Sequence, residues 1–195
     1  MKRVFDLLVS TIMLLFLLPA LAIIALLIKL DSAGPVFYLQ ERIGKDRLSF
    51  KIIKFRTMHV DADKKGLLTV GGRDPRVTRT GYILRKYKLD ELPQLFNVLS
   101  GDMSLVGPRP EVKKYVDLYN QEQLKVLQIK PGITDFASIQ YSDENELLGK
   151  AENPEELYIR EIMPEKLRLN RIYMKKMGFA TDLQILFSTV KKIFT

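Results

Sequence analysis

From Leu7 to Ile28, nineteen of twenty-two positions are apolar, and only Ser10, Thr11 and Pro19 interrupt the run. At about 1.5 Å per residue, such a run is long enough to cross a hydrocarbon core as a helix. Pro19 lies in its middle, where it removes a backbone donor and crowds the preceding turn, so a kink is expected there. Lys2 and Arg3 precede the run, and Lys29 and further basic residues follow it, so by the positive-inside rule both ends prefer the cytoplasm. A bent helix that enters and leaves by one face, a re-entrant anchor over residues 1–30, meets both demands. A single span stays open, as does a cleaved signal peptide with Lys2-Arg3 as its basic start and Ala20-Leu21-Ala22 as its small-residue site. Against the latter, the apolar run continues to Ile28, where a polar cleavage region belongs.

After the anchor, over residues 31–195, the pattern changes to shorter elements. Val36 to Gln40 and Ser49 to Phe55 are rich in β-branched and aromatic residues and flank Gly44-Lys45-Asp46, which predicts a hairpin. From Thr80 the apolar positions take helical spacing, with Ile83, Leu84 and Tyr87, then Leu92, Leu95, Phe96 and Leu99, as far as Gly101. A strand-like Ser104-Leu105-Val106 leads into Gly107-Pro108-Arg109-Pro110, where two prolines hold the backbone around Arg109 extended and stiff. Val112, Tyr115, Val116 and Tyr119 predict an amphipathic helix. Lys130-Pro131-Gly132 reads as a turn, Ile133 to Tyr141 as a strand, and the residues up to Asn153-Pro154 as an acidic loop. Two helices close the chain, Pro164 to about Lys176 and Asp182 to Phe194. The second carries Leu183, Leu186, Phe187, Val190 and Phe194 on one face, with Lys191 and Lys192 at its end, where cations suit the helix dipole or a headgroup layer. The fold class is mixed α/β, helix-dominated, with amphipathic helices lying against a membrane.

Composition narrows the chemistry. The 195 residues suffice for one ordinary domain, and without any Cys there are no disulfides, thiolate zinc sites or Cys nucleophile. The single His, His59, excludes a His-based metal triad within one chain. The net charge of +8 is concentrated: Glu41 to Glu91 holds 14 Lys/Arg against 7 Asp/Glu, whereas residues 92 to 195 hold 14 of each. That basic stretch should face something anionic, such as a substrate phosphate, phospholipid headgroups or nucleic acid. Of these, nucleic acid is disfavoured because no recognition motif accompanies the charge.

Asp90-Glu91 stands between two apolar helical patterns, with Pro93 following, which predicts a helix N-terminus with Asp90 as its cap. The helix dipole would keep Asp90 ionised there, able to act as a nucleophile or metal ligand, and adjacent carboxylates beside Lys and Arg fit a magnesium-dependent phosphate site. By itself the dipeptide is a weak signal, and a plain N-cap with a surface Glu accounts for it as well.

The string DPRVTRTGYILRKYKLDELPQLFNVLSGDMSLVGPRPE, residues 74 to 111, resembles almost letter for letter the signature of the bacterial sugar transferase family, the monotopic phosphoglycosyl transferases. Lys2-Arg3-Val4-Phe5-Asp6, Ser32-Ala33-Gly34-Pro35-Val36-Phe37-Tyr38 with Gln40 and Arg42, Lys54-Phe55-Arg56-Thr57-Met58 and Lys130-Pro131-Gly132-Ile133-Thr134 resemble its other blocks. The short length resembles the minimal, single-domain members. The resemblance implies a membrane-anchored catalytic domain that transfers sugar-1-phosphate from a UDP-sugar to a polyprenyl (undecaprenyl) phosphate, releasing UMP. It further implies Mg²⁺ as cofactor, Asp90 as the nucleophile of a covalent phosphosugar intermediate, and Glu91 as metal ligand or proton handler. Arg109, Lys54, Arg56, Arg85 and Glu111 become candidate substrate contacts, and Lys2, Arg3 and Pro19 the marks of the anchor. The expected setting is the bacterial inner membrane and its phospholipid, with catalysis on the cytoplasmic face, at the first membrane step of O-antigen, capsule, exopolysaccharide or glycoprotein glycan synthesis.

The chain departs from the family pattern at two places, Leu18 and the segment from Asp135 to Tyr141. Leu18 precedes Pro19 where relatives have Ser, and Asp135-Phe136-Ala137-Ser138 stands where many read Gly-Trp/Leu-Ala-Gln; Asp135 is either a substrate neighbour or a turn residue. Rival readings are the same transfer by direct attack of the lipid phosphate, with Asp90 as metal ligand only, and a non-catalytic basic scaffold on anionic lipid. The sequence leaves the sugar, the glycan and any homo-oligomer open.

Overall fold

The computed structural model describes residues 1–62, 66, 68–71 and 74–194. Lys64, Lys65 and Arg73 of the basic stretch, and the Phe194 side chain, lie outside the described residues. Helix α1 (Lys2–Asp31) continues through Pro19. It buries one stripe, Asp6, Ser10, Leu14, Leu21, Ile24 and Ile28, at helical spacing. The apolar residues of that stripe pack into a core with Ile52, Phe55, Leu84, Leu95 and Val98. The rest of the helix is bare: Leu15, Phe16 and Leu30 are 69%, 82% and 75% exposed. An apolar surface of this extent marks a lipid or protein contact rather than a water-facing helix.

Both ends of α1 are fastened to the same domain. At its start, Lys2 Nζ donates to Asp182 at 2.6 Å, Arg3 donates to the Val98 and Leu99 carbonyls at 2.5 and 3.1 Å, and buried Asp6 accepts from the Ser104 hydroxyl at 2.8 Å. At its end, Asp31 accepts from the Thr80 N–H at 2.9 Å and Lys29 donates to the Gly34 carbonyl at 2.8 Å. Lys2 and Arg3, expected as flanking membrane charges, therefore have defined protein partners.

The expected hairpin forms from β1 (Phe37–Ile43) and β2 (Ser49–Phe55), antiparallel, with Lys54 opposite Tyr38. The expected helical stretch from Thr80 to Gly101 is broken. Helix α2 (Arg79–Lys86) stops, Lys88 adopts a left-handed φ of 56°, a 3₁₀ turn follows at Leu89–Glu91, and α3 (Gln94–Ser100) begins after Pro93. Asn97 on α3 continues the edge of β2, its Oδ1 accepting from the Ile53 N–H at 2.9 Å and its Nδ2 donating to the Lys51 carbonyl at 2.8 Å.

Strands β3 (Ser104–Val106) and β4 (Gly132–Thr134) pair in parallel. Their continuation requires two glycines in close approach, since a Cβ on Gly132 would lie 2.0 Å from the Gly107 nitrogen. The strand expected from Ile133 to Tyr141 ends at Thr134, because the Asp135 carboxylate accepts from the Ser138 N–H at 2.6 Å and starts helix α5 (Phe136–Gln140). The helix expected around Tyr115 is a single turn, α4 (Lys113–Val116), and the expected acidic loop contains α6 (Glu144–Gly149). Helix α7 (Pro154–Leu157), a π turn at Tyr158–Ile162 and α8 (Met163–Lys176) run on without a break. In α9 (Phe179–Phe194) the single apolar face divides: Ile185 is wholly buried and Leu186 packs on the core, while Phe187 and Val190 face outward.

Candidate active site

The break at Lys88 sets Asp90 and Glu91 in a tight turn of their own. The sequence placed Asp90 at a helix cap; instead, α3 starts after Pro93, and Asp90 lies one turn earlier, 7% exposed. Its carboxylate makes no hydrogen bond or ion pair among the described residues. Burial pushes Asp90 above the ordinary carboxylate value and neighbouring Glu91 adds to this, while Lys54, Arg85 and Lys88 pull against them. Desolvation dominates at Asp90, opposite to the lowering expected of a helix cap.

Glu91 is placed oppositely. Lys54 Nζ donates to its Oε1 at 3.0 Å and Arg109 grips both its oxygens, with Nη1 to Oε2 at 3.0 Å and Nη2 on Oε1. Burial alone would raise Glu91, but the Arg109 guanidinium and then the Lys54 ammonium outweigh it and hold the group well below the carboxylate range. Neighbouring carboxylates are therefore driven apart, Glu91 the permanent anion and Asp90 the more basic one.

Lys54 comes from the end of β2 and Arg109 from the Pro108–Pro110 loop beyond β3, so three sequence-distant blocks meet at one turn. Arg85, from the last turn of α2, donates to the Thr57 and Thr69 hydroxyls at 3.1 and 3.2 Å and adds positive potential at Asp90.

Two of the expected substrate contacts have their polar atoms engaged by the protein itself. Arg56 is 5% exposed and donates to the Pro35, Ala33 and Ser32 carbonyls at 2.6 to 2.9 Å and to the Ser32 hydroxyl at 2.8 Å. It locks the chain leaving α1. Glu111 accepts from Arg42 at 2.9 Å, from the Val112 N–H at 2.8 Å and from the Tyr158 hydroxyl at 2.5 Å. Its role in the structure is to tie β1 to the π turn.

Sequence reasoning left out Lys88 and left Asp135 undecided. Asp135 is fully buried, and besides capping α5 it accepts the Arg109 N–H at 3.2 Å. A signal was present, since Asp followed three residues later by Ser, just after a strand-like run, is an N-cap pattern.

Among the described residues no group of three or more Asp, Glu or His is placed to hold a metal. Asp90 and Glu91 remain a two-carboxylate donor set, in which Asp90 has no hydrogen-bond or ion-pair partner among the described residues and Glu91 is shared with two cations. That set suits Mg²⁺, which commonly takes one or two carboxylates and completes its shell with water and substrate phosphate.

The whole chain, residues 1–195, matches the family described as bacterial sugar transferase. It is 37% identical over 197 residues to a UDP-N-acetylgalactosamine-undecaprenyl-phosphate N-acetylgalactosaminephosphotransferase of Aeromonas hydrophila, covering 100% of this chain and 44% of that protein. With the UDP-glucose:undecaprenyl-phosphate glucose-1-phosphate transferase of Escherichia coli (strain K12) it shares 38% over 198 residues, 100% of this chain and 40% of the relative. An uncharacterised sugar transferase of Bacillus subtilis (strain 168) is 38% identical over 197 residues, with 99% of this chain and 87% of the relative covered. The chain thus spans less than half the length of the first two. It belongs to the bacterial sugar transferase family.

Proposed function

We propose that the chain transfers sugar-1-phosphate from a UDP-sugar to undecaprenyl phosphate through a covalent intermediate on Asp90. The observation that carries this reading is the pairing of a buried carboxylate, unpartnered among the described residues, with a neighbour neutralised by two fixed cations. In the first step an Asp90 oxygen attacks the sugar-bearing phosphorus, a carboxylate oxygen–phosphorus bond forms, and the bond to the bridging oxygen breaks, with UMP leaving on that oxygen. In the second step an oxygen of the lipid phosphate attacks the same phosphorus and Asp90 leaves as a carboxylate. A burial-raised pKa suits this role: a more basic carboxylate is a better nucleophile, and Lys54, Arg85 and Lys88 favour its charged form against that rise.

Arg109 and Lys54 are the cations that would receive phosphoryl oxygens, exchanging the Glu91 carboxylate for phosphate. Asp90 and Glu91, together with the diphosphate, would hold Mg²⁺, which when bound supplies further neutralisation of phosphoryl charge. The two relatives named above are described as acting on UDP-sugars and undecaprenyl phosphate, which supports the same substrate classes here.

The anchor is part of the proposal. A span would carry the two ends of α1 to opposite faces of a membrane, yet Lys2, Arg3 and Asp6 at one end and Lys29 and Asp31 at the other bond to one domain. This favours a re-entrant seat in the inner membrane, with Asp90 at the cytoplasmic headgroup level where the lipid presents its phosphate, and a place at the first membrane step of a glycan pathway.

The test is UMP release by detergent-purified protein with Mg²⁺, undecaprenyl phosphate and a panel of UDP-sugars, with initial rates over both substrates. One sugar should give acceptor-dependent release with parallel double-reciprocal lines, and Asp90→Asn should fall at least about a thousandfold. Intersecting lines, or retained activity in that variant, contradict the covalent route.

A further inference from the structure

Pro108-Arg109-Pro110 has only one main-chain donor, because neither proline carries an N–H. That donor, the Arg109 N–H, goes to Asp135 Oδ2 at 3.2 Å, while Asp135 Oδ1 accepts the Ser138 N–H at 2.6 Å. Asp135 is 0% exposed, and its carboxylate stands just past the end of β4, a strand that is itself paired to the strand leading into the loop. Around it, the Gly107 N–H donates to the Thr134 carbonyl and the Gly132 N–H to the Pro108 carbonyl, both at 3.0 Å, which leaves Arg109 as the last main-chain link between the two segments. Beyond that link the Arg109 side chain reaches Glu91.

We infer that Asp135 is a positioning residue for Arg109: through the single N–H of a proline-flanked loop it fixes the point from which the guanidinium reaches Glu91 and, on the reading above, the substrate diphosphate. A neutral hydrogen-bonding residue could cap α5 as well. The carboxylate is distinguished by serving two main-chain donors with two separate oxygens, which Asn cannot do with its one carbonyl oxygen.

This inference rests on the proposed transfer for its kinetic readout, so the experiment carries a second readout that needs no turnover. Asp135→Ala, Arg109→Ala and the double variant are compared in kcat and KM for the UDP-sugar, with Asp135→Asn as the conservative control. Misplacing a phosphate-binding group by about 1 Å costs up to a hundredfold. Asp135→Ala should therefore lose tenfold to a hundredfold in kcat/KM, Asp135→Asn should recover part of the loss, and in the Arg109→Ala background the same change should cost less than about twofold. A merely structural role would cost the same factor in both backgrounds and would overturn the inference.

In ¹⁵N-arginine-labelled protein, the Arg109 guanidinium pinned on Glu91 should show restricted rotation that Asp135→Ala abolishes. An unchanged Arg109 signal in Asp135→Ala overturns the positioning role even if no UDP-sugar is turned over. A wild-type protein that is inactive while this signal responds to Asp135→Ala counts against the transferase reading alone.

Discussion

At Asp90 the site keeps a buried carboxylate without a donor among the described residues, and on the proposed mechanism its ionisation should govern the pH dependence of the transfer. On the proposed mechanism Asp90 must be charged to attack, so the rate should fall as pH drops through its value, which burial places above that of an ordinary aspartate. Glu91, held far lower by Arg109 and Lys54, stays ionised through that range and does not set the limb. Arg85 draws Asp90 down, so Arg85→Gln should move the acid limb of kcat/KM to higher pH; movement to lower pH would contradict the assignment. The Asp90-Glu91 pair, Lys54, Arg85 and Arg109 were all legible as a group from their motif blocks, and the fold brings them to one turn. Arg56 was not separable from them, because a strand-end Arg reads the same in sequence whether its donors meet phosphate or the carbonyls of residues 32 to 35. Glu111 carries the same ambiguity: only the fold reveals Arg42 and the Tyr158 hydroxyl beside it.

The elements around the site depend on backbone contacts that hydrophobic patterning does not encode. The hairpin and α1 were legible because their periodicity and turn residues agree with each other. The break between α2 and α3 was not, since the left-handed residue is Lys88 rather than Gly or Asn, and a lysine there is held by its surroundings at a local cost. The strand reading beyond Thr134 failed because Ile139 and Tyr141 suit a strand as well as a helix, and the Asp135 cap decides between them. The β3–β4 pairing gives the sharpest expectation at this scale. A Cβ at position 132 meets the Gly107 backbone and has no flexible side chain to displace. Gly132→Ala should therefore destabilise the fold by about 3 kcal/mol or more and disperse the Arg109 loop, as read by denaturant midpoint. A change within about 0.5 kcal/mol would mean the two segments do not approach as described.

At the scale of the whole molecule, a long apolar helix is tied by polar side chains at both ends to one domain, and much of its apolar flank is bare. The chain lacks cysteine, so single cysteines can report its topology directly. Val4→Cys and Ala33→Cys, flanking the apolar run, should both react with an impermeant thiol reagent from the cytoplasmic side of inverted vesicles and neither from the periplasmic side of spheroplasts. Labelling from opposite sides would establish a span and remove the re-entrant anchor from the account. The charge asymmetry and the long apolar helix were both evident in the sequence, but the contacts that fasten that helix to the rest of the chain, such as Lys2 to Asp182 on α9, link residues 180 positions apart and needed the fold. The central claim remains the covalent bond at Asp90. Its most direct measurement is the intact mass of purified protein incubated with Mg²⁺ and each UDP-sugar in the absence of acceptor lipid. The account predicts a sugar-phosphate increment with one donor, lost in Asp90→Asn and discharged by undecaprenyl phosphate. No increment from a donor that the same preparation turns over once lipid is added would contradict it.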